Sequence, residues 1–222
     1  MIIVLEGLDA TGKSTHAKLL SKALGGAKVL KFPDRSTHIG GLIDKHLRNE
    51  WSVVCPRCEV TGYGGLLAKD KPIDAYVFQC LQIVNRLECW SELQAAAKNP
   101  EPVLVDRYWQ SAVAYGGADG ADQAWLIQVH SPLPHAELNI LLDMDPEIAM
   151  QRRSEKRDRY ENAGTAYMTK VRDNYLQLWR QPPPIGYWMV IDVNRPKDVV
   201  AEELFKLTRQ HPLKGMLWTS RP

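Results

Sequence analysis

The chain has no apolar run near the ~20 residues that a helix needs to cross a bilayer, which argues against a membrane span. It has no basic segment ahead of its first apolar residues. MIIVLEG runs straight into a strand, so no secretory leader is expected, and a cytoplasmic location is. Cysteine is scarce: Cys55, Cys58, Cys80 and Cys89 do not make a disulfide framework in a chain of 222 residues, and free thiols suit a reducing compartment. Charge of one sign is scarce too. Lys and Arg number 28 against 26 Asp and Glu, and the net +2 gives no reason to expect nucleic acid or a membrane as partner. Internal repeats and low-complexity tracts are absent. What remains is an ordinary globular composition, 45% hydrophobic and 24% charged, at a length suited to a single domain spanning residues 1–222.

Short apolar runs read as buried strands: Met1–Leu5, Lys28–Phe32, Val103–Asp106, Leu138–Asp143 and Trp188–Ile191. Helical patterns lie between and after them, at Ser14–Leu24, Gly40–Arg48, Asp74–Lys98, Ala121–His130, Pro146–Arg153, Thr165–Arg180 and Pro196–Arg209. Alternation of this kind predicts an α/β fold in three layers, a five-stranded parallel sheet flanked by helices. Ligands of such sheets bind at the carboxyl ends of the strands. Residues 51–74 are less regular, rich in turn residues, and read as a surface excursion. Their Cys55-Pro-Arg-Cys58 has zinc-knuckle spacing, but zinc wants four ligands. Cys80 and Cys89 are about half a turn out of phase on a helix and cannot both join one metal. A plain turn is the better reading.

The densest chemistry is GLDATGKST, Gly7–Thr15, which fits the phosphate-cradling pattern G-x-x-x-x-G-K-[ST] between a strand and a helix. Gly7, Ala10, Thr11, Gly12, Lys13, Ser14 and Thr15 are therefore expected to hold ATP. Backbone amides and the helix start would take phosphate oxygens, Lys13 the β- and γ-phosphates, and the Ser14 hydroxyl Mg2+. This is the loop of the P-loop NTPase fold. No N-K-x-D segment points to a GTPase.

Further segments follow in order: FPDRST, Asn85-Arg86, DRYWQSAVAY, RYEN and PLKGMLW. With the loop, they make the chain resemble the thymidylate kinase family of P-loop nucleoside monophosphate kinases, from Ile2 to about Trp218. FPDRST followed by IGGLIDKHL is most like the eukaryotic and viral branch. The resemblance implies that ATP with Mg2+ phosphorylates a deoxynucleoside monophosphate, dTMP in the first place. It implies that Phe32 helps enclose the nucleotide, that Arg35 and Arg107 grip the acceptor phosphate, and that Asp9 lies near that phosphate and the sugar. Asp106 would sit near Mg2+, directly or through water. Tyr115 would pack under the deoxyribose, Arg86 would bond a pyrimidine carbonyl, and Tyr160 would lie near the acceptor sugar. Asp74–Lys98 is expected to turn an apolar stripe of Val77, Leu81, Val84 and Leu87 to the core. Gln82 and Arg86, four apart, share a neighbouring face.

Two departures from the family stand out. Gln82 replaces an aromatic that stacks on the base, an interaction of about 1–3 kcal/mol in nucleic-acid sites. Gln110 and Gly116 stand where an aromatic and a threonine are common. The three are expected to make the base pocket wider and more polar, which leaves a modified base such as 5-hydroxymethyluracil, or a purine as in dGMP, as an alternative. Second, Ala10 stands where one branch carries a catalytic arginine. Residues 151–162 hold Arg152, Arg153, Lys156, Arg157 and Arg159, and read as a short basic lid. An arginine finger contributes about 10³–10⁵ in rate. Arg153 and Arg157 are assigned that role beside Lys13, Asp9 and Asp106, and Arg152 resembles the residue that stacks on the donor adenine. The family also implies a homodimer. Two other readings remain: a deoxynucleoside kinase, against which the paired Arg35 and Arg107 speak, and an inactive nucleotide-binding protein, against which Lys13, Ser14, Asp106 and the basic run speak.

Overall fold

The computed structural model describes residues 1–48, 74–152, 164–182 and 186–210, with side chains described through 208. Five parallel strands form one sheet in the order β2-β3-β1-β4-β5: β1 (Ile2–Glu6), β2 (Lys28–Lys31), β3 (Val103–Asp106), β4 (Leu138–Asp143) and β5 (Tyr187–Asp192). Ile3 pairs with Leu104 on one side and Leu138 on the other, so β1 is central. Side chains alternate across a strand. Ile3 and Leu5 enter one core with Leu104, Ile140 and Leu142. Ile2 and Val4 enter the opposite core with Val103, Val105 and Leu93. Burial on both faces is why β1, β3 and β4 read as unbroken apolar runs.

The helices are α1 (Lys13–Ala23), α2 (His38–Leu47), α3 (Ala75–Glu88), α4 (Trp90–Lys98), α5 (Trp109–Ala118), α6 (Gln123–His130), α7 (Pro146–Gln151), α8 (Gly164–Arg180) and α9 (Lys197–Gln210). Side chains cap several starts. Thr37 accepts from Gly40, Asp74 from Tyr76, Asp122 from Trp125, and Asp145 from Glu147 with Pro146 in the first turn.

Three expectations need correction. The single helix over Asp74–Lys98 is two, divided at Cys89. The helix α5 was not foreseen. It is buried from Gln110 through Gly116, so no polar face marks its period, and it carries two glycines. The stripe on α3 holds only in its first half, where Val77 and Leu81 are partly buried and pack against a core. Val84 and Leu87 are 41% and 42% exposed, while Phe78, Gln79, Gln82, Asn85 and Arg86 are buried. The helical period was right, and the stripe leaves the core after Leu81. Among the described residues no helix is long and apolar enough to cross a membrane. Residues 51–73, with Cys55 and Cys58, lie outside those described. Cys80 is exposed and Cys89 buried, as their helical phase requires.

Candidate active site

The loop after β1 closes onto β4. Gly7 has φ 141°, and a side chain there would put Cβ 2.4 Å from the Leu142 carbonyl oxygen, so only glycine fits. Ala10 (φ 65°) and Gly12 (φ 86°) complete the left-handed bends that aim the loop at the start of α1. No side chain caps that start, which leaves its amides for an anion. The Lys13 ammonium folds back on the loop, donating to the carbonyls of Gly7 (3.1 Å) and Leu8 (2.6 Å). Burial lowers its pKa to about 8, with the nearby Arg107 acting in the same direction.

Ser14 and Asp106 meet at the ends of α1 and β3. The Ser14 hydroxyl donates to Asp106 Oδ2 at 2.5 Å, and Asp106 Oδ1 is buried without a partner. A hydroxyl beside a carboxylate with an unused oxygen suits a hard divalent cation such as magnesium. Lys31, at the end of β2, reaches the same place, with Nζ 3.3 Å from Ser14 Oγ and 3.9 Å from Asp106 Oδ2.

Arg107 follows Asp106 in the left-handed region, φ 68°. Its guanidinium donates to Asp9 Oδ1, the Gly7 carbonyl (3.2 Å), Ser111 Oγ (3.2 Å) and the Tyr115 hydroxyl (3.3 Å). Burial opposes its charge, but Asp9, Tyr115, Tyr175 and Glu6 outweigh it and hold the pKa well above the ordinary value. The Tyr115 hydroxyl donates to the other oxygen of Asp9 at 3.1 Å. Beneath Arg107 lies Glu6, fully buried. It accepts from the Tyr108 amide (2.7 Å), the Ser111 amide (3.2 Å) and hydroxyl (2.6 Å), and the Tyr175 hydroxyl (2.9 Å). Burial raises its pKa.

On the β2 side, a cis Phe32–Pro33 peptide opens the FPDRST turn. Asn85 clamps that turn to α3. Its Oδ1 accepts from the Asp34 amide (2.9 Å), and its Nδ2 donates to the Asp34 carbonyl (3.0 Å) and Thr37 Oγ1 (2.7 Å). Arg35 leaves the turn and pairs with Asp44 of α2 at 2.9 Å.

These segments enclose one cavity of about 150 Å³. Seven of the expected acceptor-site residues line it: Asp9, Phe32, Arg35, Gln82, Arg86, Arg107 and Tyr115. Arg86 is buried, lies 5.7 Å from the Phe32 ring centroid, and donates to the carbonyls of Gln82 and Tyr108, both at 2.6 Å. Burial lowers its pKa to about 10.

Gln110 is not a lining residue. It is fully buried and donates instead to Asn139 of β4 at 2.6 Å. Nor does Gly116 leave the expected void, because the Gln79 side chain lies against it. Arg152 lies at the end of α7, where it donates to the Val193 carbonyl at 3.1 Å. Arg153, Arg157 and Tyr160 lie outside the described residues. Glu6, Lys31, Gln79, Ser111 and Tyr175 were not foreseen as site residues. Only Glu6 left a usable signal, a lone carboxylate closing an apolar strand.

A phosphate loop at the central strand, a partly buried arginine one strand away and a cavity that the arginine lines define a P-loop phosphotransferase. The comparisons agree. The thymidylate kinase family model matches residues 5–54 and 64–204, and the chain belongs to that family. The unmatched residues between fall within the excursion expected at 51–74. Thymidylate kinase of Arabidopsis thaliana is 31% identical over 231 aligned positions, 99% of this chain and 77% of the relative. That of Dictyostelium discoideum is 28% identical over 209, covering 92% and 82%. The solved structure of thymidylate kinase from Candida albicans superposes with a TM-score of 0.73 at 26% identity, covering 97% of this chain and 92% of the other. This chain is thus a nucleotide kinase with ATP as its phosphate donor.

Proposed function

We propose that the protein transfers the γ-phosphate of ATP to dTMP, giving dTDP. The observation that carries this reading is the convergence of Asp9, Phe32, Arg35, Arg86, Arg107 and Tyr115 on one cavity beside Lys13 and Ser14. ATP binds along the loop amides, and Lys13 leaves its two carbonyls for the β- and γ-phosphates. Arg107 holds the acceptor phosphate from β3 while Arg35 turns from Asp44 to take its other side, since guanidinium matches phosphate with paired hydrogen bonds. Asp9 keeps Arg107 aimed. Tyr115 supports the sugar, and Phe32 and Gln82 border the base.

An acceptor phosphate oxygen attacks the γ-phosphorus, and the bond to the β–γ bridging oxygen breaks. The attacking oxygen is ionised near pH 7, so no strong general base is required. Ser14 and Asp106 would hold Mg2+, which neutralises charge on the transferring group. Lys13 is the one cation of the loop itself. Arg153 and Arg157 of the lid supply the arginine missing at Ala10, and Arg152 flanks the adenine. Lid closure excludes the water that would hydrolyse ATP.

The site works in a single domain, in the cytoplasm, as a homodimer. The outward face of α3, with Cys80, Val84 and Leu87 spaced by a helical turn, is the surface we assign to the second copy.

A coupled ADP-release assay with dTMP, dUMP, 5-hydroxymethyl-dUMP, dGMP, dCMP, dAMP and thymidine tests the acceptor. dTMP is expected to give the highest kcat/KM. A tenfold preference for another monophosphate sinks dTMP and leaves the reaction standing, whereas turnover of thymidine alone sinks the reaction class.

A further inference from the structure

We infer that Gln79 selects the acceptor base, through space that Gly116 leaves to it. The inference rests on the acceptor cavity assigned above. Gln79 is 1% exposed and lines that cavity, yet its Oε1 has no hydrogen-bond partner. A buried amide oxygen without a partner is costly, and a native core seldom keeps one without reason. Its place depends on Gly116. A Cβ built there would stand 3.0 Å from Gln79 Cγ, Cδ and Nε2. Even alanine at 116 makes the carboxamide give way by a few tenths of an ångström, and larger residues by more.

A second unpartnered group lies on the same face of α3. Gln79, Gln82 and Arg86 follow one another at spacings of three and four, so they line one side of the helix. Arg86 Nε is buried without a partner, its two terminal nitrogens being taken by the Gln82 and Tyr108 carbonyls. The two residues that line the cavity thus carry one unused acceptor and one unused donor, both closed off in the empty site, so a base reaches them once the side chains turn toward it. A pyrimidine-2,4-dione supplies the complement of both, with N3–H for Gln79 Oε1 and a ring carbonyl for Arg86 Nε. Specificity of this kind is strong because the wrong base leaves both groups unpaired. Gln82, lacking an aromatic ring, adds no stacking that would hold every base alike. Discrimination in this pocket then falls to hydrogen bonding.

The test is selectivity. dUMP and dCMP are equal in size and differ only at N3 and the C4 substituent. kcat/KM and equilibrium binding of dTMP, dUMP and dCMP are measured for the full-length protein, Gln79→Met and Gly116→Ala, with melting temperatures as the control for folding. Gln79→Met keeps the volume and removes the amide. Gly116→Ala keeps the amide and pushes it aside, and the flexible end of Gln79 can yield. Wild type is expected to favour dUMP over dCMP. Both variants should lose that preference by about tenfold or more, with KM for ATP unchanged. A dUMP-to-dCMP ratio within about twofold of wild type in both variants overturns the inference, and does so even where dTMP proves the best acceptor. Should wild type prefer another monophosphate and Gln79→Met erase that preference, the acceptor reading fails and Gln79 stands as the selecting residue.

Discussion

The Tyr175 hydroxyl donates to Glu6 Oε2 at 2.9 Å, joining residues 169 positions apart. The same hydroxyl meets Ser111 Oγ at 2.8 Å and accepts from Arg107 Nη1 at 3.4 Å. Glu6 never reaches the cavity, yet it holds the turn that presents Arg107. Tyr175→Phe is expected to cost about 1–2 kcal/mol of stability, the scale of a lost buried hydrogen bond. It should raise KM for the acceptor and leave KM for ATP alone. Thermal melting with steady-state kinetics checks this, and equal rises in both KM values would refute the positioning role.

Lys13 makes two opposite pH dependences. Its pKa is about 8 in the folded, nucleotide-free protein against an ordinary 10.5. Between those values the unfolded chain binds the proton more often, so this group makes the empty protein more stable as pH rises through that window. ATP needs the ammonium, so its dissociation constant should climb above pH 8, approaching tenfold per unit. Titration calorimetry across pH 7–9.5 reads this directly. Lys13→Met should bind weakly and without that slope, and the same slope in the variant would assign it to another group.

Lys31 sits where a divalent cation is expected, beside Ser14 and Asp106, with its side chain 62% exposed. A cation arriving there must displace it. Lys31→Met is expected to lower the half-saturating magnesium concentration, because a competing charge is gone, while kcat falls severalfold for want of positive charge near the phosphates. Rate measured against magnesium separates the two effects. An unchanged half-saturation point would show that Lys31 and the metal do not share the site.

The outward face of α3 makes the fourth prediction. Val84→Glu with Leu87→Glu should shift the protein from dimer to monomer in analytical ultracentrifugation, since like charges would face each other across a two-fold contact. Both positions are exposed in the single chain, so folding should survive. A variant that sediments as wild type would place the contact elsewhere.

How far the chain could be read in advance depended on whether a signal was local. The central strands β1, β3 and β4 were legible because burial on both faces leaves contiguous apolar runs, as in Leu138–Asp143, while the more exposed β2 and β5 were marked by short apolar runs alone. The loop was legible because its spacing, glycines and lysine are all within nine residues. The helix α5 was not, since a helix buried all round shows no alternation. On α3 the period was visible, but not that the stripe would leave the core after Leu81. Asn85 and Arg86 face inward because the FPDRST turn and the Tyr108 carbonyl give them something to bind, Gln79 and Gln82 line the cavity, and pattern alone sends polar residues to solvent. Gln110 was misplaced for a related reason: it sits in the same helix as Ser111 and Tyr115 but on the side facing Asn139. The contacts of Glu6 with Ser111 and Tyr175 exist only after folding, so no spacing announces them.

The backbone of Arg107 carries one further consequence. At φ 68° an L-residue with a long side chain is strained, and glycine or asparagine would rest there more easily. A library randomised at this codon and sorted for soluble yield should enrich those two. Sorted for turnover, it should return arginine. What the residue does and how comfortably the chain sits thus ask for different side chains at this position, and the two selections would drift apart from the first round.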